Sequence, residues 1–349
     1  MRRLNPKDAV LLVGSVPLGS ADEVFHAVSD RLAPFLASVP DGETGERLKW
    51  IGWQSQRFRG LEEVEVISEM TIGGPVPQTL AMFRVRTGTS PSDVNLRPLG
   101  YADEAQRSFR IFKELKSAGR FEPDTRFQVS IPTATALSVF FPEAMEEFAA
   151  LLESELVNEV ASITRAIPED ELSIQWDVAV ETQAEERNRH PEAGPGGPEI
   201  SLKPALDSLA RLVDAVPASA VVGIHLCYGD PDGQHVVQPA DLCVPVDIAN
   251  QIAARATRTI DWIHMPVPVG RTDDSYFAPL DRLHLDPATR VYLGLVHLPD
   301  GVDGAQRRID AAKAHLIDFG IATECGLGRQ APERIGDLLD LHRELASRL

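Results

Sequence analysis

Cysteine is scarce in this chain: Cys227, Cys243 and Cys325 are the three thiols in 349 residues. So few cannot staple a fold of this length, which excludes a disulfide scaffold. Cys243 reads as a small buried apolar residue, the common fate of a lone cysteine. Long apolar runs are missing as well. None approaches the ~20 residues that cross a bilayer, so no membrane partner is expected. The two N-terminal arginines, Arg2 and Arg3, are followed by no apolar segment of the secretory kind, which makes the cytoplasm the default location. Positive charge is in deficit: 34 Lys and Arg face 52 Asp and Glu, a formal net charge of −18. Such a surface repels phosphate backbones and anionic lipid. No basic stripe interleaved with aromatics offsets it, so nucleic acid is excluded as a partner. Internal repeats and domain linkers are also lacking.

What is present is a large core and a rhythm. Hydrophobic residues make up 43% of the chain. Short β-branched runs recur at 9–16, 35–39, 127–131, 172–178, 220–226, 259–263, 290–296 and 319–323, each suited to a strand buried on both faces. Amphipathic stretches at 21–32, 142–166, 202–215, 246–256, 304–319 and 332–349 alternate with them. Strand–helix repetition with eight strands predicts a single α/β domain over 1–349, a (β/α)8 TIM barrel. The long gap between the second and third strands predicts an insertion at 54–120, with a helix at 104–117, covering part of the mouth. The Pro-, Gly- and charge-rich segment 185–198 reads as a mobile lid or a disordered surface loop.

Polar residues collect where the predicted strands end. Ser15 follows the first, Asp41 and Glu43 the second, Asp177 and Glu181 the fourth. His225, Cys227 and Asp230 follow the fifth, His264 the sixth, His297 the seventh, and Glu324 and Cys325 the eighth. Barrel enzymes draw catalytic groups from the carboxyl ends of several strands, so this convergence points to an enzyme. Asp230 before Pro231 also suits a plain turn. Glu46 and Arg47 suit the cap of a helix holding Trp50 and Trp53. His26, His190, His235, His284, His315 and His342 fall away from the strand ends and read as structural or surface residues.

His225 and Cys227 are two apart on a strand and face one side. With His264 and Cys325 they offer two imidazoles and two thiolates, a set that suits tetrahedral zinc better than magnesium or calcium. Copper(I) or iron could also bind. His264 could instead be a general base or a packed histidine. A metal here would activate a thiol by holding it deprotonated near neutral pH.

These segments resemble the catalytic domain of cobalamin-independent methionine synthase. That superfamily also includes uroporphyrinogen decarboxylase and the zinc-dependent coenzyme M alkyltransferases. Val13-Gly14-Ser15-Val16-Pro17 is similar to the family's Ile-Gly-Ser-Phe-Pro, and Gly42-Glu43-Thr44-Gly45-Glu46-Arg47 contains its Gly-Glu and Arg. Ile174-Gln175-Trp176-Asp177 is similar to Ile-Gln-Ile-Asp, and His225-Leu226-Cys227-Tyr228 to His-Met-Cys-Tyr. Val296-His297-Leu298-Pro299 is similar to Ile-His-Ser-Pro, and Glu324-Cys325-Gly326-Leu327-Gly328-Arg329 to Asp-Cys-Gly-Leu-Lys-Thr-Arg. The resemblance implies a zinc-dependent methyl or alkyl transferase acting on a small thiol of the homocysteine type, with a folate as one candidate donor. It implies metal ligation by His225, Cys227 and Cys325. Ser15, Glu43 and Asp177 would hold the amino-acid thiol, with Asp41 as a further contact, and His297 would act as proton donor.

Departures are visible too. The family's fourth ligand is a glutamate, and His264 stands at its place. Its Asp-Glu-Pro-Ala segment reads Asp177-Val178-Ala179-Val180-Glu181, with Glu181 kept as a candidate substrate contact. Trp50, Trp53 and Trp176 are candidates for stacking a folate, although packing is the commoner fate of tryptophan. The competing reading is a lyase or decarboxylase of the same superfamily, using Asp41, Glu43, Asp177 and His297 for acid–base work. A third reading is a non-catalytic zinc or small-ligand binding protein.

Overall fold

The computed structural model describes residues 6–231 and 234–349. After an opening helix α1 (Ala21–Leu32), the chain forms β1 (Ser38–Pro40), α2 (Gly52–Arg59), the hairpin strands β2 (Val64–Ile72) and β3 (Gln78–Val85), and α3 (Tyr101–Ser117). Then come β4 (Arg126–Pro132), α4 (Ala134–Ser138), α5 (Met145–Ala166), β5 (Leu172–Val178), α6 (Val180–Arg189) and α7 (Leu202–Asp214). The chain continues through β6 (Val221–Leu226), α8 (Cys243–Arg255), β7 (Trp262–Pro266), α9 (Asp274–Phe277), β8 (Arg290–Gly294), α10 (Gly301–Lys313), β9 (Gly320–Ile321) and α11 (Ile335–Ala346). No helix among the described residues is long and apolar enough to cross a membrane.

The result is a mixed α/β fold around a seven-stranded parallel sheet in the order β1-β4-β5-β6-β7-β8-β9. Its central strands read as near-continuous apolar runs because helices cover them; every residue of β5 is buried. The register sets the site. Asp177 on β5 pairs with His225 on β6, and His225 pairs with His264 on β7. Three chemistry-bearing residues therefore lie in one row across adjacent strands.

The run 9–16, expected as a full strand, makes only isolated bridges: Val10 pairs with Leu36 on one side and with Ile321 on the other. Side chains explain the shortfall. The Gln128 carboxamide donates to the Leu12 carbonyl at 3.0 Å, and that of Gln175 donates to the Val13 carbonyl. Polar side chains of β4 and β5 thus take the acceptors that a backbone ladder would have used.

Between β1 and β4 the chain builds β2 and β3 as a separate antiparallel sheet. Backbone and aromatics tie it down. The Phe83 amide donates to the Phe140 carbonyl at 2.7 Å, the Ala81 amide donates to Ser55 Oγ at 2.8 Å, and Phe58, Phe83 and Phe141 pack together. Segment 185–198 begins inside α6 and then runs as an irregular, mostly exposed stretch in which Ala193 is buried against Tyr228 and Val237. Cys243 is half-buried at the start of α8, with an Arg282 nitrogen 3.1 Å from its sulfur.

Helix α3 shows how a buried charge is accommodated. Its first amides lack carbonyl partners. The buried Glu159 carboxylate of α5 accepts from Gly100 N at 2.7 Å and from Ala102 N at 2.6 Å. Truncating it would strand both donors in the interior. Glu159→Ala is expected to lower unfolding stability by about 1–3 kcal/mol, measured by urea denaturation; an unchanged midpoint would show that the cap contributes nothing.

Candidate metal and thiol site

His225 lies near the end of β6 and Cys227 just beyond it, held by its amide donating to the Val178 carbonyl at 3.2 Å. Cys325 follows β9, and the Thr323 hydroxyl fixes its backbone by donating to its carbonyl at 2.6 Å. From these separate segments one group forms. Cys227 Sγ and Cys325 Sγ are 3.6 Å apart, Cys325 Sγ and His225 Nε2 are 3.8 Å apart, and all three ligand atoms lie within 4.8 Å of one another. Burial, followed by the neighbouring His264, holds the His225 imidazole well below its ordinary pKa. The hydrogen bond with Cys227, burial and the Asp230 carboxylate together push the Cys325 thiol well up. Asp230 is more than a turn residue: its Oδ1 lies 3.5 Å from Cys325 Sγ, and burial raises its carboxyl to about 6.

His264 does not join the sulfurs. Its ring is fully buried, with Nδ1 2.8 Å from His225 Nδ1 and Nε2 3.0 Å from the Thr323 carbonyl. Burial pulls its pKa down to about 3. Both ring nitrogens are engaged away from the thiols, because the parallel register seats His264 directly behind His225. His297 also faces elsewhere. Its Nε2 donates to the Val267 carbonyl at 2.8 Å, and its Nδ1 stands 3.8 Å from Glu324. Burial lowers its pKa. His235, read from sequence as peripheral, has a buried side chain 3.0 Å from the same Glu324.

The acids form the opposite wall. Ser38, Gln128 and Gln175 make a buried chain of hydrogen bonds that ends with Gln175 Nε2 donating to Asp177 Oδ1 at 2.7 Å. Trp50 Nε1 donates to the other oxygen at 3.2 Å. Burial nevertheless raises the Asp177 carboxyl to about 7, against these hydrogen bonds. Glu43 is surrounded by protein but keeps an opening to the cavity. Burial and the nearby Asp177 raise its pKa well above the ordinary value, while Arg47 opposes them. Its backbone is strained, with φ 46°, in the left-handed region that non-glycine residues seldom occupy. Asp41 maintains that turn: it accepts from the Glu43 amide at 2.9 Å and takes Arg47 in a forked pair at 3.2 and 2.7 Å. Its carboxylate is thereby committed to the scaffold, away from the cavity wall.

A cavity of about 210 Å³ joins the two groups, lined by Ser15, Glu43, Asp177, His225, Cys227 and Cys325 among others. Ile72, Gln78 and Leu80 of the hairpin line it as well. Cys325-Gly326-Leu327-Gly328 wraps Ser15 so closely that a Cβ on Gly326 would come within 2.4 Å of Ser15 Oγ. Arg329 also lines the cavity, and its buried Nε has no hydrogen-bond partner among the described residues. Among the tryptophans, Trp50 lines the cavity. It sits at a break with φ 53°, ahead of α2 rather than inside a helix. Trp53 packs on Tyr101, and Trp176 is fully buried. Glu181 lies outside the cavity wall: it is fully buried and accepts from Thr133 Oγ1 at 2.6 Å, while its Oε2 has no partner among the described residues. Burial raises its pKa, which favours the neutral acid.

Asp177 has a folded pKa of about 7 against an ordinary aspartate value of 3.8. A raised folded pKa contributes stability at low pH that is lost as pH rises through that window. The metal-free protein should lose stability between about pH 4 and 7, and Asp177→Asn should flatten that loss in thermal unfolding; an equally steep loss in the variant would rule Asp177 out as its source. Glu181→Gln substitutes a near-isostere at a side chain outside the cavity wall and should leave metal affinity within about twofold of the parent's. A larger loss in competition titration would place Glu181 in the site after all.

No protein-family model and no curated protein matches the sequence. Solved structures do. A B12-independent methionine synthase from Shewanella sp. W3-18-1, in complex with selenomethionine, superposes with a TM-score of 0.62 at 13% identity, covering 98% of each chain. A structure from Listeria monocytogenes, also named for vitamin-B12-independent methionine synthase, gives a TM-score of 0.57 at 14% identity over 99% of each chain. The chain thus has the fold of the B12-independent methionine synthase structures, the family that its strand-end motifs resemble.

Proposed function

We propose that this protein is a zinc-dependent transferase that moves a methyl or alkyl group to a small amino-acid thiol of the homocysteine type. On this reading the chain is one (β/α)8 barrel, its ring completed through the Val10 bridges, with 54–120 inserted between the second and third strands.

The observation that carries the proposal is the spacing of the three donor atoms. Two sulfurs about 2.3 Å from a tetrahedral zinc stand about 3.8 Å from each other, and a sulfur and an imidazole nitrogen about 3.6 Å apart. Two of the three spacings here are 3.6 and 3.8 Å, and the third, between Cys227 and His225, lies within 4.8 Å. The sulfur separation far exceeds the roughly 2.05 Å of a disulfide. His225, Cys227 and Cys325 would hold the ion and leave a position for a substrate sulfur, the pattern of catalytic rather than structural sites. Bound there, zinc would supply the charge that keeps a coordinated thiol deprotonated.

The chain's own residues account for the rest of the substrate. Glu43 and Asp177 form an acidic wall with a cost that an ammonium group would offset. The Ser15 turn and the unpaired Nε of Arg329 suit a carboxylate. The selenomethionine in the Shewanella structure is an alkylated selenium amino acid, the kind of molecule that such a cavity would hold. His297 and Asp41 are spent on other contacts, which counts against the lyase alternative and equally against the proton-donor role that the resemblance implies for His297.

The purified protein should carry about one zinc per chain. Cys325→Ala should lose both the metal and thiol alkylation, measured by elemental analysis and by thioether formation from homocysteine; a variant that retains either would refute this chemistry. Glu43→Gln should weaken homocysteine binding about 10- to 100-fold, the value of a charge-assisted contact. A thiol acid lacking the amino group should bind the variant and the parent alike by calorimetry.

A further inference from the structure

We propose that His264, backed by the Thr323 carbonyl, is a positioning residue that fixes His225 in the tautomer whose Nε2 is free to take a metal. This inference rests on the metal reading above and assigns His264 a role other than ligand.

The donor roles follow from the contacts. A backbone carbonyl only accepts, so His264 Nε2, 3.0 Å from the Thr323 oxygen, carries a hydrogen. His264 is fully buried, and its two ring nitrogens contact that carbonyl and His225. A ring that carries its single hydrogen on Nε2 presents a lone pair at Nδ1. Two Nδ1 atoms 2.8 Å apart need one proton between them. That proton must sit on His225. A His225 ring with its single hydrogen on Nδ1 keeps its lone pair on Nε2, the atom 3.8 Å from Cys325 Sγ.

The strands explain why the arrangement is rigid. His225 and His264 are register partners on β6 and β7, and the rings meet at 41° with centroids 4.8 Å apart. Metal-bound histidines commonly donate their other N–H to a carboxylate or carbonyl, which fixes the ring and raises its basicity. Here a second imidazole carries that contact to Thr323, two residues before the Cys325 ligand. The relay ties the β6 ligand to the chain segment that supplies Cys325.

Histidine nitrogen NMR of the metal-free protein should find His225 protonated at Nδ1 and His264 at Nε2. The opposite tautomer on either ring overturns the proposal. His264→Leu should weaken zinc binding about 10- to 100-fold in chelator competition. His264→Gln, with a carbonyl to accept and an amide to donate, should recover most of it. Cobalt at saturation should give His264→Leu the same sulfur-to-metal absorption as the parent, because no ligand is lost. Unchanged zinc affinity in a folded His264→Leu, or altered cobalt bands, would overturn the relay. A parent that takes up no zinc would sink the metal reading itself, and the tautomers, read without metal, keep that failure distinct.

Discussion

Parallel register across three strands is the constraint on which the rest depends. Asp177, His225 and His264 occupy one row on β5, β6 and β7. That row brings a carboxylate, a candidate ligand and a second imidazole side by side at the carboxyl end of the sheet. A one-residue slip would turn every side chain of a strand to the other face and would dismantle the group. The apolar burial of these strands is thus what makes the chemistry possible, because it prevents slippage.

Within the sheet, polar side chains take over contacts usually left to backbone. Gln128 and Gln175 bond to the carbonyls of Leu12 and Val13 and carry a chain of hydrogen bonds from Ser38 to Asp177. A buried amide network of this kind is stable only when its members are satisfied. It orients the Asp177 carboxylate through Gln175, while Asp41 and Arg47 hold the strained Glu43 turn. Rigid support behind each acid explains how two carboxylates can face one small cavity.

Electrostatics give the cavity two characters. Burial drives the acids toward their neutral forms, and the Cys325 thiol holds its proton through its contact with Cys227 and its own burial. A positive charge placed beside either group would favour its deprotonated form. The hairpin β2–β3 contributes Ile72, Gln78 and Leu80 to the cavity lining, so a segment outside the parallel sheet shapes the space available to a substrate.

Much of this was legible in the residues. Strand–helix alternation, the amphipathic helices and the strand-end positions of Ser15, Glu43, Asp177, His225, Cys227 and Cys325 follow from local pattern, and the structure lines one cavity with those six. Spacing could not say that Asp41 would be spent on Arg47, that Glu181 would be sealed beside Thr133, or that His297 would turn to the Val267 carbonyl. Nor could it distinguish His264 as a ligand from His264 as the support of one, or find His235 against Glu324. Periodicity determines which face of an element is buried, since that depends on the chain's own dihedral repeat. Which buried polar atoms meet depends on register, side-chain reach and competing acceptors on distant segments, and those were decided only when the sheet assembled.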